Sequence, residues 1–389
     1  MRILVDNAYI FDNKKRVCLP GRMLIRDGKV GVLISQTDIA PEADAVIDAR
    51  GACVLPGLVD VHTHGRAGED FNFADRDAMK KMARSYAKIG TTSLFPTLAS
   101  APFDELCNSA KMLTEVRRKT EGAAFLGIHL EGRYLNPAKR GAHDPSLIVP
   151  PDAAELERFI TCYGLPLHIS AALELDRDHK FAEAAKTAGA TLGLGHTCAA
   201  YAEAMEAFRM YGVSFTHLYN AMPPLHHRDG GPVLAAFDAH AYAELICDGL
   251  HIDPSVVAFT YRNVGRDRLV LITDSMAAAG APDGDYVIAG SPALVRGGIA
   301  RTPEGALAGS TLDLYRAVEN LAAFCNIPLC DALVCATSNP AAEVGLSDVV
   351  GTLKPGARAD FIITEPDFEA KNLGIGEEGC RVFVGGEEI

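Results

Sequence analysis

The stretch Pro56-Gly57-Leu58-Val59-Asp60-Val61-His62-Thr63-His64-Gly65 is a short apolar run that ends on two histidines one residue apart. Its length and its Pro-Gly and Gly boundaries suit a strand buried on both faces. In an extended backbone side chains alternate with period two, so His62 and His64 project the same way and can reach one ion. The same rhythm then repeats: short apolar runs predict strands at 58–62, 91–95, 124–130, 167–170, 190–195, 213–218, 242–247 and 268–273. Helix-like patterns fall at 75–89, 103–118, 153–162, 180–188, 200–211 and 254–263. Strands alternating with helices predict a parallel sheet, and eight such strands close a TIM-like (β/α)8 barrel.

Outward from this core the pattern changes. The first fifty residues contain short β-like segments at 3–10, 23–26, 30–34 and 45–47, broken by turn formers such as Asp27-Gly28. After the last barrel strand come a Gly/Pro-rich insertion at 279–309, two helix-like segments, and β-like runs at 361–364 and 381–384. The tail resembles the head more than the middle. The expected fold class is therefore α/β, a (β/α)8 TIM-like barrel over 55–351 with a small β-sandwich domain formed by both chain termini, 1–54 and 352–389. A chain of 389 residues exceeds what one core usually supports, which agrees with two units.

Composition removes several function classes. Hydrophobic residues at 48% and charged residues at 22% describe a globular protein rather than a disordered one. No run of about 18 apolar residues is present, so no membrane span is expected. The N-terminus alternates apolar and polar residues and carries charge early, unlike a signal peptide. The 10 cysteines include no CxxC pair, and Cys53, Cys162, Cys247 and Cys335 sit in apolar patterns as small core residues. A reducing cytoplasm is the expected location. A net charge of -13 disfavours nucleic acid, whose binding rests on neutralising phosphates, while a few local donors can still hold one small phosphate.

Ligand-competent side chains stand at the C-terminal ends of the predicted strands, where barrel active sites are built. The first strand carries His62 and His64, the third His129 and Glu131, the fifth His196, the sixth His217, the seventh Asp248 and His251, and the eighth Asp274. An isolated histidine is usually structural, but core packing would not gather so many at one barrel face. Imidazole and carboxylate donors suit a divalent metal, zinc first, with iron, manganese, cobalt or nickel also compatible. Asp274 has two readings: a cap for a helix over 275–278, or a general base.

Several segments resemble, in order, the N-acetylglucosamine-6-phosphate deacetylases, a branch of the amidohydrolases. They are the opening stretch, His129-Leu130-Glu131-Gly132, Gly195-His196-Thr197, and Thr216-His217-Leu218-Tyr219-Asn220-Ala221-Met222. Leu225-His226-His227-Arg228, Cys247-Asp248-Gly249-Leu250-His251, Thr273-Asp274 and Leu307-Ala308-Gly309-Ser310 complete the set. The resemblance implies Glu131, His196 and His217 as ligands of one ion, with His62 and His64 able to add a second. It implies Asp274 as catalytic acid/base and His143 as a donor to the acetyl carbonyl. It places Ala142, Asn220, Ala221, His251, Leu307, Ala308 and Gly309 around the sugar phosphate. Arg228 and His227 would reach the phosphate from the neighbouring subunit of a homodimer. The activity implied is release of acetate from N-acetylglucosamine 6-phosphate, a small phosphorylated amino sugar, leaving glucosamine 6-phosphate.

One position departs from the family: Arg133 stands where proline usually follows the His-Leu-Glu-Gly segment. It could turn outward into an ion pair or alter the metal or sugar accepted. A cyclic-amidase relative would carry a lysine at the fourth strand, which here reads His168-Ile169-Ser170-Ala171-Ala172. A non-catalytic scaffold would have lost ligands that are all present. A deacetylase for N-acetylgalactosamine 6-phosphate needs the same groups, and the motifs do not separate the epimers.

Overall fold

The computed structural model describes residues 1–117, 121–163, 166–364, 373–375 and 380–389. Eight strands follow one another in the barrel: Leu58–Thr63, Thr91–Ala99, Ile128–Glu131, Leu167–Ala171, Thr191–Leu194, Ser214–Phe215, Ala243–Ile246 and Leu269–Ile272. All neighbouring pairs are parallel. The eighth strand returns to the first through backbone bonds at the C-terminal end of the barrel strands, Asp274 N–H to His62 O at 2.9 Å and His64 N–H to Ser275 O at 2.8 Å. The histidine pair and the aspartate are thus joined by the bonds that close the barrel.

Two strands differ from their sequence pattern. The third is interrupted, with Ala124–Phe125 pairing separately, and Gly127 lies in the gap, where a Cβ would stand 2.3 Å from the Phe95 ring. The sixth stops at Phe215 because the backbone turns away: His217, Tyr219 and Ala221 have φ of 32°, 78° and 50°. Hydrophobic periodicity carries no information on such a turn.

Helices Arg76–Lys88, Phe103–Val116, Ala153–Ile160, Lys180–Thr187, Tyr201–Tyr211 and Pro254–Val264 match the predicted ones, with Arg118 lying outside the described residues. The first begins where the Asp75 carboxylate accepts from the N–H groups of Asp77 and Ala78. A further helix, Gly231–Ala239, was not visible in the sequence. It starts on Gly-Pro and buries Val233, Ala235, Ala236 and Phe237, so it lacks the polar face that signals a surface helix. The 279–309 insertion contains a three-stranded antiparallel sheet, Gly284–Ile288, Ser291–Arg296 and Ile299–Arg301. Ile288, Ala293 and Val295 pack with Met276, Ala99 and Ala308 at the C-terminal end of the barrel strands.

Both termini build the small β unit together. Its strand order is Glu387–Glu388, Arg381–Val384, Phe361–Ile363, Cys53–Pro56, Arg2–Asp12, Val17–Arg26 and Lys29–Ser35, with Ala45–Asp48 added beside Arg2–Asp12. It is one continuous hydrogen-bonded sheet rather than two separately bonded layers. The hairpin around Gly28 curls back to the 357–359 segment, where Val30 N–H donates to Ala357 O and Ala359 N–H to Gly28 O, each at 2.9 Å. Val5, Met23, Ile25, Val54, Phe361 and Phe383 form a core separate from that of the barrel. Among the described residues no helix is long and apolar enough to cross a membrane.

Candidate active site

Glu131, the last residue of the third strand, is the hub. Its Oε1 lies 2.9 Å from His217 Nε2, 3.2 Å from His196 Nε2 and 3.3 Å from His62 Nε2. Its Oε2 lies 3.0 Å from His64 Nε2 and 3.7 Å from His143 Nε2. Asp274 Oδ1 stands 3.3 Å from His64 Nε2 and 3.6 Å from His62 Nε2. Five imidazoles, from the ends of the first, fifth and sixth strands and from one loop, therefore converge on a carboxylate that is itself buried. His196, His217 and Asp274 follow their strands with φ of 47°, 32° and 48°. Non-glycine residues rarely hold this left-handed conformation, and its recurrence at three strand ends concentrates backbone strain where side chains must be aimed.

The histidines are set from behind. His196 Nδ1 is 2.8 Å from the Lys139 carbonyl, which can only accept, so that nitrogen carries the proton and Nε2 offers its lone pair to the site. His143 Nδ1 is 2.9 Å from Ser100 Oγ. The Ser100 backbone N–H, which can only donate, points at the same Nδ1 at 3.4 Å, so Nδ1 is the acceptor and the ring keeps its N–H on the Nε2 that faces the site. His129 lies below the cluster, between Ser170 Oγ at 2.8 Å and Thr97 Oγ1 at 3.2 Å, and burial holds it well below the usual histidine range. It is a neutral structural residue.

The charges agree with a cation site. Burial opposes ionisation of Glu131, but the charge of His62 and the adjacent imidazoles of His143, His196 and His217 hold it well below the carboxylate range. Burial likewise opposes ionisation of Asp274, which His62 and His64 nonetheless hold low. Burial opposes charge on His64, yet Asp274 and Glu131 push it up to about 9, whereas burial takes His196 down to about 4. Positive charge on His62 and His64 thus balances two carboxylates, and a divalent ion would do the same while using imidazole lone pairs. His62 Nε2 is buried without a hydrogen-bond partner although it faces two carboxylates, as expected of a ligand atom. The donor set of imidazole and carboxylate fits a divalent metal.

Above the cluster opens a cavity of about 260 Å³ lined by His64, Glu131, Ala142, His143, His196, His217, Asn220, Ala221, His251, Asp274, Leu307 and Gly309. Ala308 does not line it; it is buried in the core beneath the three-stranded sheet. His227 and Arg228 are exposed and do not line the cavity of their own chain. Asp274 caps no helix, since none follows it. Arg133 turns outward: its guanidinium grips both Glu155 oxygens at 2.9 and 3.1 Å and donates to Ala101 O. Arg133→Ala should lower stability by about 2 kcal/mol in denaturant unfolding, because it strands the largely buried Glu155, while changing turnover less than about threefold.

Sequence reasoning missed Ser100, the Lys139 carbonyl, and Ile288 and Ala289, which complete the cavity wall. Asp144 N–H donates to Ala289 O at 3.3 Å, tying the His143 loop to the inserted sheet. It also missed Glu244, whose signal was legible: a single carboxylate inside the apolar strand Ala243–Ile246.

A barrel with buried imidazole and carboxylate side chains gathered at its C-terminal end, beneath a half-open pocket, has the make-up of a metal-dependent hydrolase site. The sequence matches the amidohydrolase family over residues 53–388. The chain belongs to the amidohydrolase family and is a hydrolase of amide C–N bonds. It is 32% identical over 377 residues to an N-acetylgalactosamine-6-phosphate deacetylase of Escherichia coli O157:H7, covering 96% of each chain. It is 30% identical over 373 residues to the N-acetylglucosamine-6-phosphate deacetylase of Bacillus subtilis (strain 168), covering 94% of each. Its fold superposes on the solved N-acetylglucosamine-6-phosphate deacetylase of Pasteurella multocida with a TM-score of 0.90 at 27% identity, over 100% of both chains. A Mycobacterium smegmatis mutant enzyme solved with N-acetyl-D-glucosamine-6-phosphate gives 0.86 at 30% identity, over 100% of this chain and 98% of that one.

Proposed function

We propose that this enzyme removes the acetyl group from N-acetylglucosamine 6-phosphate, releasing acetate and glucosamine 6-phosphate. The observation that carries this reading is the convergence of His143, Glu131, His196, His217 and Asp274 on one cavity, in a chain similar throughout its length to deacetylases of phosphorylated N-acetyl amino sugars. Glu131, His196 and His217 would hold one divalent ion and His62 with His64 a second, zinc being the preferred identity. When bound, such an ion acidifies water and polarises the amide carbonyl.

The chain's own residues supply the rest. Asp274, ionised at neutral pH, takes the proton of the attacking water and returns it to the amine as that group leaves. His143, with its proton fixed on Nε2, donates to the oxygen that gains negative charge. The cavity lining contains no Lys or Arg among the described residues, so the substrate phosphate needs a cation from elsewhere. Arg228 of a second copy would supply it, which makes a homodimer the working assembly. Arg228→Ala should raise KM for the phosphorylated sugar by about ten- to a hundredfold, the loss of one charge-assisted hydrogen bond, and leave KM for the unphosphorylated sugar unchanged. Equal KM values for the phosphorylated sugar in both proteins would exclude this anchor. A cytoplasmic location and a two-part organisation, 1–54 with 352–389 around a barrel of 55–351, complete the reading.

The deciding experiment is acetate release from N-acetylglucosamine 6-phosphate, N-acetylgalactosamine 6-phosphate and unphosphorylated N-acetylglucosamine, with bound metal quantified on the same sample. Fast release from the first alone supports the reading. Preference for the second would move the substrate to the galactosamine epimer, an alternative kept open by the 32% identity to a deacetylase of that sugar. No release from any, despite bound metal, would reject an amino-sugar substrate.

A further inference from the structure

We propose that Glu244 is a positioning residue for His62, fixing the ring that holds the second ion. This rests on the two-ion reading above. Glu244 lies near the start of the seventh barrel strand and is fully buried, so an ionised carboxylate there needs compensating partners. Its Oε2 is 3.0 Å from His62 Nδ1 and accepts the backbone N–H of His217 at 3.2 Å. Its Oε1 faces His168 Nε2 at 3.5 Å.

A carboxylate oxygen can only accept, so His62 Nδ1 carries the proton. Nε2, which faces Glu131 and Asp274, is then the nitrogen whose lone pair would be offered to a cation bound between them, in place of the second proton. The other imidazoles facing Glu131 are held differently. His196 is backed by a neutral carbonyl, while His64 Nδ1 and His217 Nδ1 are buried without partners among the described residues. Only His62 is backed by a carboxylate among these four, and a carboxylate behind a ligating imidazole both locks its ring and raises its basicity. Glu343 stands beside Glu244 and His168, their ligand atoms all within 4.8 Å, but makes no hydrogen bond or ion pair with His62 among the described residues, which makes it a control for charge near the site.

The test equilibrates the zinc-loaded full-length protein with graded chelator and measures zinc retained per chain. Wild type should release zinc in two steps, and His62→Ala, by deleting one, assigns the step of the histidine pair. Glu244→Leu should move that step to about ten- to a hundredfold lower chelator and the other step clearly less, since His217 loses only the acceptor of its backbone N–H. Glu244→Gln, nearly the same shape and still able to accept from His62 Nδ1, should fall between, and it carries the test if the leucine variant does not fold. Glu343→Gln should leave both steps in place. Unchanged release from both Glu244 variants overturns the proposal, as does an equal shift of both steps, which would mean general loosening. A wild-type chain holding a single zinc overturns it too. If zinc leaves in two steps but no sugar releases acetate, the substrate reading fails and the Glu244 result stands.

Discussion

Glu131→Gln is expected to empty both metal positions and abolish turnover. The substitution keeps shape and burial but removes the negative charge that faces His62, His64, His196 and His217 within 3.3 Å. Loss of a residue merely supporting a ligand costs about ten- to a hundredfold in metal affinity, so loss of the shared carboxylate should exceed a hundredfold. Metal analysis after dialysis against a weak chelator, alongside acetate release, checks both effects. Metal retained at the wild-type level would remove Glu131 from the ligand set. The fold should survive, because Glu131 belongs to the top of a strand whose backbone pairs remain.

Asp274→Asn should lower kcat by about 10² to 10⁴, the usual contribution of a placed proton-transfer group, while KM changes little. The amide cannot accept the proton of water at neutral pH, and its NH2 group would face His64 Nε2, 3.3 Å from Asp274 Oδ1 in the wild type. Because Asp274 stands with His62 and His64 rather than with His196 and His217, any metal lost should be the ion of the histidine pair. Steady-state kinetics with metal content measured on the same sample separates the two effects. A fully active asparagine variant would exclude Asp274 as the proton carrier.

Much of this site was legible before folding. His62, His64, Glu131, His196, His217 and Asp274 each follow an apolar run, and a parallel barrel delivers the ends of its strands to one face. The outward turn of Arg133 was one of two readings the sequence left open, and the bidentate bond to Glu155 decides it. The helix Gly231–Ala239 stayed hidden because burial all round erases periodicity.

By itself the sequence determined the alternation of strands and helices, the imidazole and carboxylate side chains that stand at the strand ends, and the shared β unit of the two termini, because these depend on local pattern and residue type. Tertiary structure alone decided which nitrogen of each imidazole faces the site, since that depends on Lys139 O behind His196, Ser100 behind His143 and Glu244 behind His62. It also decided that Ile288 and Ala289 wall the cavity and that His227 and Arg228 lie outside it. The physical reason is the same in each case: hydrogen-bond partners from distant strands and loops, and left-handed turns at strand ends, are properties of packing that no run of residues encodes.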